Sequence, residues 1–327
     1  MAAQRGRGGA FHLLLLLVSL MCVFHGTQGL RVGFYTNTCP NAETIVTQTV
    51  QNRFRRDKTI TPALLRLFFH DCFVVGCDAS LLINSTPKNS AEKDAGANLT
   101  VRGYDLIDAA KAAVEKACPG KVSCADIIAL ATRDVIALSG GPKFAMPTGR
   151  RDGRVSKASN VNLPGPSLSV ADATRAFTAQ GMTQNDMVTL LGAHTVGITH
   201  CSFFDDRLWN FQGTGRADPS MDANLVKQLK SVCPQRGVGL GRPVNLDQGT
   251  PNIVDKVFYS QLLAKKGILQ LDQRLATDRA TSQRTRTLAG PTSPFTKDFV
   301  AAIIKLGNVK VLEGTKGEIR KICSRIN

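Results

Sequence analysis

The sequence predicts an all-α fold with only minor short strands, and three observations carry that prediction. Apolar residues recur at helical spacing, as at Val46, Val50 and Phe54, and at Ile107, Ala110, Val114 and Ala117. Helix-start signals repeat: Thr61-Pro62, and a Ser or Thr followed three residues later by Asp at Ser123/Asp126, Ser169/Asp172 and Thr183/Asp186. Alternating apolar and polar runs of the kind that make half-buried strands hardly occur.

Taken in order, Pro40-Asn41 opens the first helix. Thr61 is expected to cap the second, with Pro62 in its first turn and Leu64, Leu67 and Phe68 on its apolar face. Cys118-Pro119-Gly120 ends the third, and Gly140-Gly141-Pro142 stops the fourth, which Ser123 begins. Gly181 and Gly192 are the stops of the next two. Later helices are expected over residues 222–229, 255–265 and 296–306. Residues 143–148 are candidates for the minor strands. Residues 156–166, rich in proline at their end, read as a long surface loop. There is no internal repeat and no low-complexity linker.

The first residues have a different character. Arg5 and Arg7 precede an apolar run over residues 11–24, and small residues follow up to Gly29. Residues 1–29 therefore read as a secretory signal peptide, which leaves one domain over residues 30–327. The run is shorter than the ~20 residues that span a bilayer, so a membrane anchor is disfavoured. The chain is read as exported, to the extracellular space or cell wall. Its formal charge of +16 falls to +14 once Arg5 and Arg7 leave, because residues 1–29 hold no acid. Such a charge favours anionic matrix polysaccharide as a partner. Nucleic acid is not favoured, since no basic helix is interleaved with aromatics.

Nine cysteines become eight when Cys22 goes with the signal, and an even number in an exported chain implies four disulfides. Eight cysteines allow about a hundred pairings, and only Cys72–Cys77 is suggested by its local spacing. There is no Cys-x-x-Cys, which argues against a zinc cluster.

Chemistry is densest in Arg66-Leu-Phe-Phe-His70-Asp-Cys-Phe-Val-Val-Gly-Cys-Asp-Ala-Ser80. Arg66 and His70 lie four apart in an apolar run, so they share a helix face. Acids and cysteines follow, as in a cation loop held by a short disulfide. After the signal leaves, three histidines remain: His70, His194 and His200. That is too few and too scattered for a three-histidine zinc site. His194 directly follows a helix stop and has small neighbours, Gly192, Ala193 and Gly197, which leave room for a flat bulky group such as haem. His200 reads more simply as a core residue.

The segment Arg66-x-x-Phe69-His70-Asp-Cys-Phe-Val-x-Gly-Cys-Asp-Ala-Ser80 is similar to the distal signature of class III secretory plant peroxidases, and Gly192-Ala193-His194-Thr195-x-Gly197 resembles their proximal signature. Glu92-Lys93, Arg102-Gly103-Tyr104, Val122-Ser123-Cys124-Ala125-Asp126, Gly149-Arg150-Arg151-Asp152 and Asn162-Leu163-Pro164 follow the same family order.

The resemblance implies a haem peroxidase fold, with two helical subdomains sandwiching one haem b. It also implies a monomer that reduces hydrogen peroxide and oxidises small phenolic donors in one-electron steps. His70 is then the general acid/base, Arg66 its charge-stabilising partner, Asn98 the acceptor that orients His70, and Phe69 the cover over the iron-bound oxygen. His194 is the iron ligand and Asp272 its hydrogen-bond partner. One calcium is implied at Asp71, Asp78 and Ser80, the carbonyls of Val74 and Gly76, and Glu92 through water. A second is implied at Thr195, Asp247, Thr250, the Ile253 carbonyl and Asp255. The implied disulfides are Cys39–Cys118, Cys72–Cys77, Cys124–Cys323 and Cys201–Cys233.

Pro164 and Phe203 remain as donor contacts, while Gly96-Ala97 and Ser167 depart from the bulkier residues that some relatives carry near the donor entrance. Asn84 in Asn84-Ser85-Thr86 is the expected glycosylation site; Asn98-Leu99-Thr100 is a second sequon that burial would silence. A non-catalytic calcium- and polysaccharide-binding wall protein is the rival reading.

Overall fold

The computed structural model describes residues 29–234 and 237–327. The expected signal peptide, apart from Gly29, lies outside the described residues. Twelve α-helices occur among them: α1 (Ala42–Arg56), α2 (Ile60–Val74), α3 (Tyr104–Ala117), α4 (Cys124–Leu138), α5 (Val170–Ala179), α6 (Gln184–Leu191), α7 (Asp205–Trp209), α8 (Ala223–Val232), α9 (Val257–Leu263), α10 (Gln270–Thr277), α11 (Ser282–Ala289) and α12 (Phe295–Gly307). The one named sheet is a short antiparallel pair, β1 (Ile198–His200) with β2 (Pro243–Asn245).

Two packed groups make up the helical body. In the first, α1 lies against α3 and α4, and α4 lies against α2. In the second, α9, α10 and α11 pack on one another, with α5 and α6 alongside. Helix α12 touches both α6 and α2 and so joins the groups. The buried pair Arg150–Asp126 (2.8 Å) reinforces this, because Arg150 also donates to the Gly307 carbonyl at the end of α12. A smaller apolar cluster gathers Phe204, Leu208, Leu225 and Leu229 around the Cys201–Cys233 disulfide.

Local signals account for several of the helix starts. Ser123, Ser169 and Thr183 accept from the backbone N–H of Asp126, Asp172 and Asp186, and Thr183 with Asp186 forms a reciprocal capping box. Helix α2 differs from expectation. It begins at Ile60, so Thr61 lies inside it rather than capping it, and the Thr61 hydroxyl pairs with Ser139 Oγ at 2.6 Å. Asp57 instead receives the Thr59 N–H. The strand expected over residues 143–148 reduces to one bridge, Arg31 with Thr148. Helices α7, α10 and α11 were not anticipated; each is short, and α11 (SQRTRTLA) has almost no apolar pattern. The loop over residues 156–166 stands, apart from a 3-10 turn at Ala158–Asn160, but Ser156 is buried and accepts the Glu92 N–H.

Eleven of the fifteen residues of α2 are buried, as expected for a helix in the middle of the fold. The four that are not include Pro62, Arg66 and Phe69, at helical spacing, so the one unsealed stripe of α2 is the stripe that carries Arg66.

Candidate active site

On that stripe the charged and basic groups are held by one short segment. Asn98 ends a 3-10 turn, Gly96–Asn98, and is buried. Its Nδ2 donates to the Glu92 carbonyl at 2.7 Å, which turns Oδ1 toward His70 Nδ1 at 2.6 Å. An amide oxygen can only accept, so Nδ1 carries the imidazole proton and Nε2 keeps its lone pair. Arg66 Nε donates to that Nε2 at 3.2 Å. Arg66 is itself anchored twice more, by Nη1 to Thr100 Oγ1 and by Nη2 to the Ala97 carbonyl, both at 2.9 Å. Burial pushes the His70 pKa down to about 4, and the Arg66 charge adds to this against the opposing bond to Asn98. Phe69 stacks on Phe73 at 4.7 Å and lies near Phe177. In the sequence Thr100 stands out only as part of a sequon. Its hydroxyl is a ligand of Arg66 instead, and Asn98 has both ends of its amide engaged inside the protein.

His194 sits in the 3-10 turn Gly192–Thr195, which packs against α2 and α9. Both carboxylate oxygens of Asp272, on α10, stand 3.0 Å from His194 Nδ1. Burial lowers the His194 pKa, but the Asp272 carboxylate outweighs it and the net direction is upward. With Nδ1 taken, Nε2 is the free nitrogen, and the side chain keeps 31% exposure while Asp272 is almost fully buried. An imidazole oriented by a carboxylate and open at its other nitrogen suits an iron ligand. The small neighbours also have a cause within the protein. A Cβ at Gly192 would run into the Tyr259 hydroxyl and Phe295, and one at Gly197 would come within 2.8 Å of Pro62 Cβ. These glycines make room for protein, so that the turn can press against α2 and α9.

Each histidine has an oxygen-rich neighbour. Beside His70, Asp71 Oδ1, Ser80 Oγ and both Glu92 carboxylate oxygens are buried without a hydrogen-bond partner. Burial raises the Asp71 pKa, with the Asp78 charge next, and burial pushes Glu92 up to about 8. The Gly76 carbonyl already takes the Asp78 N–H at 2.8 Å. Beside His194, the Thr195 hydroxyl stands 3.2 Å from Asp247 Oδ2, the Ile253 carbonyl and Asp255 Oδ1. The Thr250 hydroxyl lies 3.3 Å and 3.1 Å from the same two carboxylates. One hydroxyl proton cannot serve three acceptors, so both clusters hold more oxygen lone pairs than donors. Among the described residues, no three His, Cys, Asp or Glu side chains form a metal-binding group by themselves. The surplus rests on hydroxyls and carbonyls as much as on acids, which is a hard-cation set.

The two residues expected to touch donors lie apart in sequence. Phe203, half exposed, ends a 3-10 turn after β1. Pro164 belongs to a loop tied to α10 by Leu271 N–H to the Pro166 carbonyl and by Arg274 to the Ser167 and Leu168 carbonyls. His200 pairs with Pro243 in the sheet and enters neither cluster. The disulfides are Cys39–Cys118, Cys72–Cys77, Cys124–Cys323 and Cys201–Cys233.

Residues 46–290 match the peroxidase family model. The chain belongs to the peroxidase family. It is 50% identical to Peroxidase 57 of Arabidopsis thaliana, over 98% of this chain and 99% of the relative. It is 49% identical to Peroxidase 44 of the same plant, over 91% and 93%. Peroxidase N1 of Nicotiana tabacum is 45% identical, over 97% of each. This peroxidase is therefore a haem-dependent oxidoreductase that uses hydrogen peroxide to oxidise donor molecules, and the family match gives the non-catalytic rival no support. Among the described residues, no helix of the peroxidase is long and apolar enough to cross a membrane.

Proposed function

We propose that this peroxidase is exported, oxidises phenolic donors, and divides its chemistry between two histidines, each braced by a calcium ion. The observation that carries this reading is the hydrogen bond from His70 Nδ1 to Asn98, which leaves Nε2 unprotonated, accepting from the Arg66 guanidinium. Nε2 takes the proton of the incoming peroxide and returns it to the departing oxygen. Arg66, held in place by Thr100 and Ala97, stabilises the negative charge that develops as the O–O bond breaks. His194, aligned by Asp272, would hold the iron, and haem when bound supplies the redox chemistry: two electrons to peroxide, then single electrons back from two donors. Phe69 narrows the peroxide side, and Pro164 and Phe203 offer apolar contact to donors.

The surplus of oxygens around Asp71, Asp78, Ser80 and Glu92, with the carbonyls of Val74 and Gly76, supports one calcium. Thr195, Asp247, Thr250, Ile253 and Asp255 support the second. The basic charge supports retention on anionic wall polysaccharide, and the exposed Asn84 supports a glycan there.

The purified protein is expected to show a Soret band and to oxidise guaiacol only when peroxide is added. A folded but colourless protein would overturn the reading. His70→Ala is expected to keep the Soret band and slow the peroxide step by about 10²–10⁴-fold; an unchanged rate would remove His70 from its role.

A further inference from the structure

A peroxidase makes an oxidant that can consume its own side chains. Thiols and thioethers yield most readily, followed by indoles and phenols. Among the described residues these groups are withdrawn from the surface. All eight cysteines are in disulfides. Met146, Met182, Met187 and Met221 are buried, as are Tyr35 and Tyr259. Only Trp209, the single tryptophan of the chain, and Tyr104 keep partial exposure.

A lysine ammonium stands over each of those two rings. Lys230 Nζ is 4.2 Å from the Trp209 ring centre, and Lys93 Nζ is 4.5 Å from that of Tyr104. Trp209 closes α7, and its Nε1 donates to the Cys233 carbonyl at 3.1 Å, which fixes the indole beneath the last turn of α8, where Lys230 sits. Lys93 is steadied by the Asn84 side chain at 2.6 Å.

The consequence is electrostatic. A neutral electron-rich ring attracts the ammonium. Once the ring has lost an electron it is positive, and the same ammonium repels it. Both changes raise the potential needed to oxidise the ring. Proton loss gives no relief: the indole N–H faces a peptide carbonyl, which is too weak a base to take its proton, and no protein group accepts from the buried Tyr104 hydroxyl.

We propose that Lys230 guards Trp209, and Lys93 guards Tyr104, against the oxidant this enzyme generates, so that oxidising equivalents pass to external donors. The step being suppressed is loss of two electrons and two protons from the indole with addition of water, giving hydroxytryptophan, while one peroxide is reduced to water through the haem centre.

The test uses the holoenzyme with excess peroxide and no donor, and reads peptide oxidation by mass spectrometry and indole radical by freeze-quench electron paramagnetic resonance. Lys230→Gln is expected to raise Trp209 oxidation and the radical signal several-fold. Lys230→Arg, which keeps the charge, stays near the parent. Lys227→Gln, an exposed lysine of the same helix with no ring beneath it, also stays near the parent. The Soret band and initial guaiacol turnover of all three are expected to match the parent, which separates this idea from the assignment of the active site. Equal Trp209 oxidation in Lys230→Gln and the parent would overturn it. So would an equal rise in Lys227→Gln, which would trace the effect to net charge rather than to the lysine over the ring.

Discussion

Arg66 is the residue on which the peroxide side converges, with hydrogen bonds to His70, Thr100 and Ala97. A bond to a charged group is worth about 1.5–3 kcal/mol, so freeing the guanidinium from one anchor should show in the peroxide step. Thr100→Val is expected to slow that step about ten-fold in stopped-flow, with haem content unchanged and Thr100→Ser restoring the rate. A valine variant as fast as the parent would show that the hydroxyl does not position Arg66. The pH profile follows from the depressed pKa of His70. The imidazole is a base only when neutral, so the peroxide step should hold steady from neutral pH downward and fall through pH about 4, where His70 takes its proton. An inflection at the ordinary histidine value would mean that burial and Arg66 do not set its protonation. Arg66 and His70 were legible because a four-residue spacing speaks for one helix face. Thr100 was not, since nothing in its neighbours reveals a partner on another element.

At the scale of elements, α2 and the Gly192–Thr195 turn each carry a histidine, and each is followed by the first residue of an oxygen cluster: Asp71 after His70, Thr195 after His194. Burial makes the Asp71 and Asp247 carboxyls resist ionisation, and neighbouring carboxylates add to it, so both are shifted upward. A bound cation removes that conflict. Chelation of calcium is expected to shift the Soret band and lower the melting temperature, read by absorbance and calorimetry; an unaltered spectrum would separate the clusters from the histidines. Helix α10 shows the limit of sequence pattern. Asp272 sits on a helix of only eight residues, whose apolar stripe rests on Leu271 and Leu275, and the resemblance alone singled it out. What defines α10 as a helix is packing on α9 and α11.

Across the whole molecule, the disulfides differ most in the chain they enclose. Cys124–Cys323 spans 199 residues and Cys72–Cys77 spans 5. If restriction of the unfolded chain governs, replacing the first pair with alanines costs about 5 kcal/mol and the second about 2. Denaturant unfolding of the two variants gives the order, and a reversed order would assign the stabilisation to native packing instead.

The sequence by itself determined the helical class, several helix starts, the shared face of Arg66 and His70 and, through two signatures, the family. Those features are local, set by spacing and capping within a few residues. Tertiary structure alone decided that Thr61 binds Ser139 instead of capping α2, that Gly192 and Gly197 yield space to Tyr259, Phe295 and Pro62, that Thr100 anchors Arg66, and that Lys230 lies over Trp209. Each of these is a contact between segments distant along the chain, and short-range pattern carries no information about which distant segment arrives.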